Sequence, residues 1–306
     1  MQDFKQQWQL DQPRDFGTIL GDAALLIYRN WQSLLTALAF VTLPLIGLSF
    51  IIYFAFFANL SREAILDIAN EHILALGALM LIFVLATMTA QVVAIAFVYT
   101  SKKMRLLKFE PIELWHTMRP KLGKLLLIYT LTWILPLAVI GLCALLILVA
   151  KVVGIVLLIA AIIAFIWFTI GAMFAGYMGM ESDLSAMDCI KKTLEMVNVQ
   201  WWDAFGYVVL LSIVINAVHG VIFMPFTVLE LIKNFSAISS GNSQGLQQTT
   251  LSLLSMFQSA LFILFMCFTA ICYNLKFYDL RENKYGYNIL EKINSIGSHL
   301  TKDEEL

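Results

Sequence analysis

Long apolar runs alternate with short charged segments along the whole chain. A helix needs about 20 apolar residues, at 1.5 Å each, to cross the hydrocarbon core of a bilayer. Runs of this length, taken between their nearest charged residues, predict spans at about 33–58, 73–100, 122–149, 153–179, 203–229 and 250–275. The pattern thus predicts an all-α membrane protein, with a single six-helix transmembrane domain over 1–276 and a short cytoplasmic C-terminal tail over 277–306.

The longest apolar run, from Leu125 to Met180, is broken only by Lys151. Such a run is much too long for one crossing, so it predicts a helical hairpin with Lys151 near its tip. Small residues at Gly171, Ala175 and Gly179 recur at every fourth position. This spacing favours close approach of neighbouring helix backbones.

The distribution of Lys and Arg predicts which way the chain is inserted. With the N-terminus inside, 17 of the 20 basic residues lie on the cytoplasmic side and three, Arg62, Lys151 and Lys233, lie outside. Because positive loops resist translocation, this asymmetry predicts a cytoplasmic N-terminus and C-terminus. Residues 1–15 are polar and carry no apolar core or cleavage site, so we expect no removable signal peptide.

The spans also suggest an internal repeat of three units, each with a cytoplasmic interfacial helix followed by a transmembrane hairpin. The first and third amphipathic segments carry apolar stripes at helical spacing, Phe16, Ile19, Leu20, Ala23, Ala24, Ile27 and Trp31 in one, and Leu184, Met187, Ile190, Leu194, Val197 and Trp201 in the other. Both stripes predict helices that lie in the headgroup layer. Ser185 and Asp188 match a helix-capping box, and Glu110 followed by Pro111 marks the start of a shorter second segment.

Composition narrows the function classes. The chain is 60% hydrophobic and 13% charged, with a formal charge of −1, which predicts the lipid bilayer as its surroundings and no nucleic-acid partner. Its four cysteines form no C-x-x-C pair and its four histidines are widely separated, so we predict no metal site. Catalytic motifs are missing from the sequence, which predicts no enzymatic activity and no cofactor.

A few polar residues fall at bilayer depth, where burying a polar group is costly. Gln91 lies with Thr87 and Thr89 near the middle of the second span, and Asn216 and His219 share one face of the fifth. They could line a cavity for a substrate or a lipid headgroup. Alternatively, they only form hydrogen bonds between helices, at roughly 0.6–2 kcal/mol per contact.

The second cytoplasmic loop is the most basic part of the chain. It is a candidate contact for anionic lipids or an acidic partner, although the positive-inside rule alone accounts for its charge. Its basic residues are Lys102, Lys103, Arg105, Lys108, Arg119, Lys121 and Lys124.

Two segments resemble a known group of proteins. Residues 183–194 (DLSAMDCIKKTL) with 199–206 (VQWWDAFG), and residues 277–282 (FYDLRE) with 286–288 (GYN), are similar to recurring elements of prokaryotic membrane proteins. That group includes the membrane domain found beside some glycerophosphoryl diester phosphodiesterases and related uncharacterised inner-membrane proteins. The resemblance implies a location in the bacterial cytoplasmic (inner) membrane. In those enzymes a separate soluble barrel performs the hydrolysis, so no catalytic residue is carried over to this chain.

The sequence is compatible with two functions. The first is a non-enzymatic accessory or scaffold for other membrane proteins, favoured by the scarcity of ionisable residues inside the spans. The alternative is a small transporter or lipid-handling protein that uses a polar cavity around Asn216 and His219. Neither the oligomeric state nor a substrate follows from the sequence.

Overall fold

The computed structural model describes residues 12–56, 73–104, 108–149, 151–240 and 244–286, and within these ranges the regular structure is entirely helical. The helices are α1 (Phe16–Val41), α2 (Leu43–Phe56), α3 (Ile73–Met104), α4 (Pro111–Met118), α5 (Leu122–Val149), α6 (Lys151–Ala172), α7 (Ala175–Glu181), α8 (Ala186–Val199), α9 (Trp201–Ser240) and α10 (Gln244–Tyr285). A 3-10 turn, Arg119–Lys121, joins α4 to α5.

Five of the described helical stretches are long and apolar enough to cross a membrane, and a sixth is added if α1 and α2, bent by 44°, form one span. The five are Leu74–Met104, Pro111–Leu142, Lys151–Glu181, Trp201–Leu229 and Leu261–Tyr285. The prediction of an all-α protein with about six membrane-compatible helices is therefore confirmed at this level.

Two helices form the centre of the bundle. In α3, every residue from Val92 to Val98 is buried, which is expected only of a helix surrounded by protein on all sides. The C-terminal half of α10 packs beside it, and the Asn274 amide donates a hydrogen bond to the Ile95 carbonyl (3.4 Å). Tyr177 on α7 and Tyr207 on α9 donate to carbonyls of α10 at Ala270 (2.7 Å) and Cys272 (3.3 Å).

The amphipathic segments form helices as predicted, but much of each apolar stripe contacts protein. Ile19 and Ala23 of α1, and Ile190 and Val197 of α8, are all buried. This differs from the expectation that the stripes lie in the headgroup layer. The physical reason is that an apolar stripe has the same spacing whether it packs on lipid or on a neighbouring helix.

The two predicted start signals form caps, and a third cap is seen at α1. Ser185 caps α8 by accepting the Asp188 N–H (3.2 Å), and Asp15, which was not predicted as a cap, accepts the Thr18 N–H (2.7 Å) at the start of α1. At α4, the Glu113 carboxylate accepts the Glu110 N–H (2.9 Å), and Pro111 occupies the first helical position. Each cap satisfies backbone donors that the helix itself leaves without a partner.

Asn30 creates a kink inside α1 and fixes the chain that precedes α4. Its backbone leaves the helical region (φ −126°, ψ 24°), and its side chain is buried. The Asn30 Oδ1 accepts the Phe109 N–H (3.0 Å), while the Ser33 hydroxyl donates to the Phe109 carbonyl (2.8 Å). Gln200 makes a similar break (φ −126°, ψ 37°) between α8 and α9.

The small residues predicted to allow close packing do so. A Cβ added at Gly171 would lie 2.5 Å from Leu194, and one at Gly179 would lie 2.5 Å from Ile128. Neighbouring Gly176 is equally confined, since a Cβ there would meet Ile95 at 2.7 Å and the Tyr129 hydroxyl at 3.1 Å. The α7 segment therefore depends on glycine to lie against α3 and α5.

The predicted tail begins inside a helix. α10 continues to Tyr285 and buries Phe277, Tyr278 and Leu280, and Gly286 with φ 59° then ends it. The sequence predicted an exposed tail here because residues 276, 279, 281 and 282 are charged. In the structure its apolar positions pack, and Lys276, Asp279 and Arg281 form ion pairs. Residues 287–306 lie outside the described part of the chain.

Candidate functional site

The predicted polar patch is not assembled by the described contacts. Gln91 is half-buried on α3, and Asn216 is exposed on α9, where its amide donates to the Ser212 carbonyl of the same helix (2.7 Å). The His219 ring lies against three aromatic rings, those of Phe223, Phe262 and Phe265. Among the residues that the structure describes, no hydrogen bond or ring contact joins any two of these three polar side chains.

The threonines near Gln91 form local and interhelical hydrogen bonds. The Thr87 hydroxyl donates to the Val84 carbonyl of its own helix (2.8 Å). Thr89 donates to the Ala86 carbonyl (2.9 Å), and its hydroxyl also lies 3.4 Å from that of Thr42 at the bend between α1 and α2. Hydrogen bonding within and between helices therefore explains why a polar side chain is tolerated at Thr89.

The basic loop residues separate into two groups. Lys102, Lys121 and Lys124 bind residues 181–183, whereas Lys103, Lys108 and Arg119 are exposed and Arg105 lies outside the described residues. We call residues 181–183, Glu181, Ser182 and Asp183, the charged turn. It connects α7 to the cap of α8.

Glu181 contacts two cationic side chains. Its carboxylate accepts hydrogen bonds from Lys102 (2.6 Å) and the Tyr278 hydroxyl (3.1 Å), and it also pairs with the Arg281 guanidinium. Both cations lie over the Tyr278 ring, with Lys102 Nζ at 4.4 Å and Arg281 Cζ at 4.9 Å from its centroid. The carboxylate thereby links α3, α7 and α10.

Two lysines, one at the end of the 3-10 turn and one in the first turn of α5, contact the other half of the charged turn. Lys121 and Lys124 both donate to the Ser182 carbonyl, at 3.1 and 2.8 Å, and Lys121 also pairs with the Asp183 carboxylate at 2.8 Å. This hydrogen bond from the Lys121 ammonium lowers the pKa of Asp183 below its usual value. Lysines beside the final carbonyls of α7 also complement the negative end of the helix dipole.

A second group of charges surrounds Asp279 on α10. The Lys276 ammonium lies 2.7 Å from Asp203 on α9 and 2.5 Å from Asp279, and the Asp279 carboxylate also accepts the Arg14 backbone N–H (3.0 Å). The Arg14 side chain pairs with Asp22 (2.9 Å). Asp279 thus joins the N-terminal segment to the last helix, and we call Lys276, Asp279, Asp203 and Arg14 the ionic clamp.

Sequence reasoning missed both charged groups. The partners are far apart along the chain, with Arg14 and Asp279 separated by 265 positions and Lys102 and Glu181 by 79. One local signal was available. Lys276, Asp279 and Arg281 alternate with the apolar Phe277, Tyr278 and Leu280, a spacing that suits a helix with one packed face better than a solvated tail.

The chemistry of these groups is that of ionic cross-links. The carboxylates of Glu181 and Asp279 are each held by at least one cation, which fixes their positions. Over the described residues, no group of three or more His, Cys, Asp or Glu side chains is arranged to hold a metal ion. Cys189, Cys267 and Cys272 are buried and carry free thiols.

Comparisons with protein-family models, curated proteins and solved structures give no match to this chain.

Proposed function

We propose that the chain is a non-enzymatic accessory or scaffold protein of the bacterial cytoplasmic membrane. The observation that carries this proposal is the unequal burial of its apolar helices. In the most apolar 18-residue window of Lys151–Glu181 only 11% of residues are buried, compared with 61% for Leu74–Met104. Such an exposed apolar helix is covered by lipid or by helices of another membrane protein.

α6 is exposed around most of its circumference, and one of its faces has the spacing of a helix-packing surface. Its exposed residues include Val152 (76%), Val156 (61%), Ile159 (55%) and Ile163 (64%), which follow the heptad positions at which one helix packs along another. We call these four residues the outer stripe. α6 packs on α5, α8 and α9, which would hold the stripe in place while a partner helix packs along it.

Bulky substitutions on the outer stripe test the scaffold proposal. The double variant Ile159→Trp/Ile163→Trp stays apolar but should block a neighbouring helix. We expect purified wild-type protein to be inactive in liposome transport assays and to retain membrane partners, and the variant to lose those partners at equal expression. The matched control is Leu74→Trp/Leu81→Trp on exposed positions of α3.

Two results would contradict the scaffold proposal. One is partner recovery that the outer-stripe variant leaves unchanged. The other is solute or lipid transport by the reconstituted protein that the double variant Asn216→Leu/His219→Ala abolishes, which would establish the transporter alternative instead.

We also propose the three-unit organisation, with the charged turn on the cytoplasmic side. Three features support it. Each short helix begins at a polar cap, at Asp15, Glu110 or Ser185. A break follows in each unit, at Asn30, at the 3-10 turn before α5, and at Gln200. A long apolar segment comes next each time, as a repeated unit requires.

Kinship with the membrane domain found beside some glycerophosphoryl diester phosphodiesterases is a further proposal. Residues 183–206 and 277–288 carry it. These segments include Asp183 of the charged turn and Asp203 and Asp279 of the ionic clamp, so the likeness would concern residues that hold the bundle together. It supplies no catalytic role for this chain.

A further inference from the structure

Four cationic side chains contact the charged turn, Lys102, Lys121, Lys124 and Arg281. The turn itself carries two carboxylates, those of Glu181 and Asp183. Lys102 and Arg281 both contact Glu181. On the other side, within the described part of the chain, Lys121 pairs with the exposed carboxylate of Asp183 and Lys124 contacts the Ser182 carbonyl.

Lys121 and Lys124 converge on a single oxygen. Both ammonium groups lie within 3.1 Å of the Ser182 carbonyl, so two oxygens of one phosphate can contact both of them. An ammonium carries three N–H donors. Within the described part of the chain, Lys121 uses two of its donors and Lys124 uses one. Donors therefore remain for an incoming anion.

The site also lies where headgroups are expected. Glu181 is the last residue of one membrane-compatible stretch, and Lys102 and Arg281 lie within a few residues of the ends of two others, at Met104 and Tyr285. Exposed Arg119 adds a further positive charge nearby in sequence. Basic residues at this level attract anionic lipids.

We propose that the charged turn binds a phosphate-bearing anion through Lys121 and Lys124. The source is either the headgroup of an anionic phospholipid or free phosphate. Asp183 pairs with Lys121 and competes for the same ammonium, so its carboxylate weakens the site. This inference is independent of the scaffold proposal, because phosphate binding requires no partner protein.

Lipid titration of the purified protein tests the site. Native mass spectrometry in detergent would measure binding of phosphatidylglycerol to the wild type and to K121Q/K124Q. We expect about a 30-fold loss, from about 1 kcal/mol per basic residue and 1.4 kcal/mol per tenfold. The control K191Q/K192Q removes the same charge from exposed positions of α8 and should change binding less than threefold.

The Asp183→Asn variant tests the same site without removing either lysine. Loss of the competing carboxylate should tighten phosphatidylglycerol binding several-fold. Inorganic phosphate is the second probe: if it displaces the lipid at millimolar concentration, free phosphate is a ligand, and if it does not, the lipid headgroup is the ligand.

Three outcomes would overturn the proposal. These are equal losses in K121Q/K124Q and K191Q/K192Q, equal binding of phosphatidylglycerol and phosphatidylcholine, and unchanged binding in D183N. If K121Q/K124Q unfolds, D183N decides the question by itself.

Discussion

Removing Lys276 should destabilise the bundle more than any exposed charge does. The Lys276 side chain is 6% exposed and lies between Asp203, which is half exposed, and Asp279, which is 3% exposed. In Lys276→Met, the buried Asp279 carboxylate would lose its cation, and its remaining partners among the described residues would be neutral donors, the Arg14 N–H and the Asn283 amide. Breaking a buried pair in this way typically costs about 3–5 kcal/mol.

The free energy of unfolding, measured by SDS titration with tryptophan fluorescence, would report this loss. We expect a decrease of about 3 kcal/mol for K276M. The double variant K276M/D279N should recover most of it, because the asparagine removes the uncompensated charge and still accepts the Arg14 N–H. Lys192→Met on the exposed face of α8 is the control and should stay within about 0.5 kcal/mol of wild type. A K276M loss under about 1 kcal/mol, or a double variant no more stable than K276M, would refute the ionic clamp.

Three further predictions concern local packing, polar burial and pH. Gly176→Ala should cost about 1–3 kcal/mol, because its Cβ meets Ile95 and Tyr129, whereas Gly206→Ala meets nothing within 4 Å and should be neutral in the same titration. Asn30→Ala should cost about 1–3 kcal/mol and speed amide exchange at Phe109, whose N–H loses its acceptor; an unchanged exchange rate would contradict this, and exposed Asn198→Ala is the control. Since the pKa of Asp183 is lowered from 3.8, its pairing with Lys121 stabilises the fold above that pH and is lost as pH falls through the folded-state value. The melting temperatures of wild type and D183N should therefore differ at pH 6 and converge in acid, and a difference that persists in acid would exclude the pairing as its cause.

The helical class and the approximate number of membrane-compatible helices followed from apolar run length alone, because crossing a bilayer sets a minimum length. The helix starts at Glu110 and Ser185 could be predicted for the same reason, since a cap involves residues only three positions apart. Small residues at Gly171 and Gly179 correctly indicated close packing.

Pairing between distant residues could not be predicted in this way. Lys121 and Lys124 were candidates for lipid contact, but their hydrogen-bond partners in the charged turn lie about 60 positions away. Asp279 was missed for the same reason. A charged residue just after the last predicted span is expected to be exposed, but Asp279 is buried. Run length also could not distinguish a surrounded helix such as α3 from a peripheral one such as α6, because both are apolar on all sides.

Labelling of single cysteines most directly tests whether the chain crosses the membrane as proposed. Lys151→Cys and Lys192→Cys, each introduced after replacement of the four native cysteines, place exposed thiols at the start of α6 and on α8. Only one proposed crossing separates them. In intact cells a membrane-impermeant maleimide should label position 151 directly, and it should label position 192 only after permeabilisation. Labelling of both positions from the same side would contradict the proposed topology and the cytoplasmic location of the charged turn.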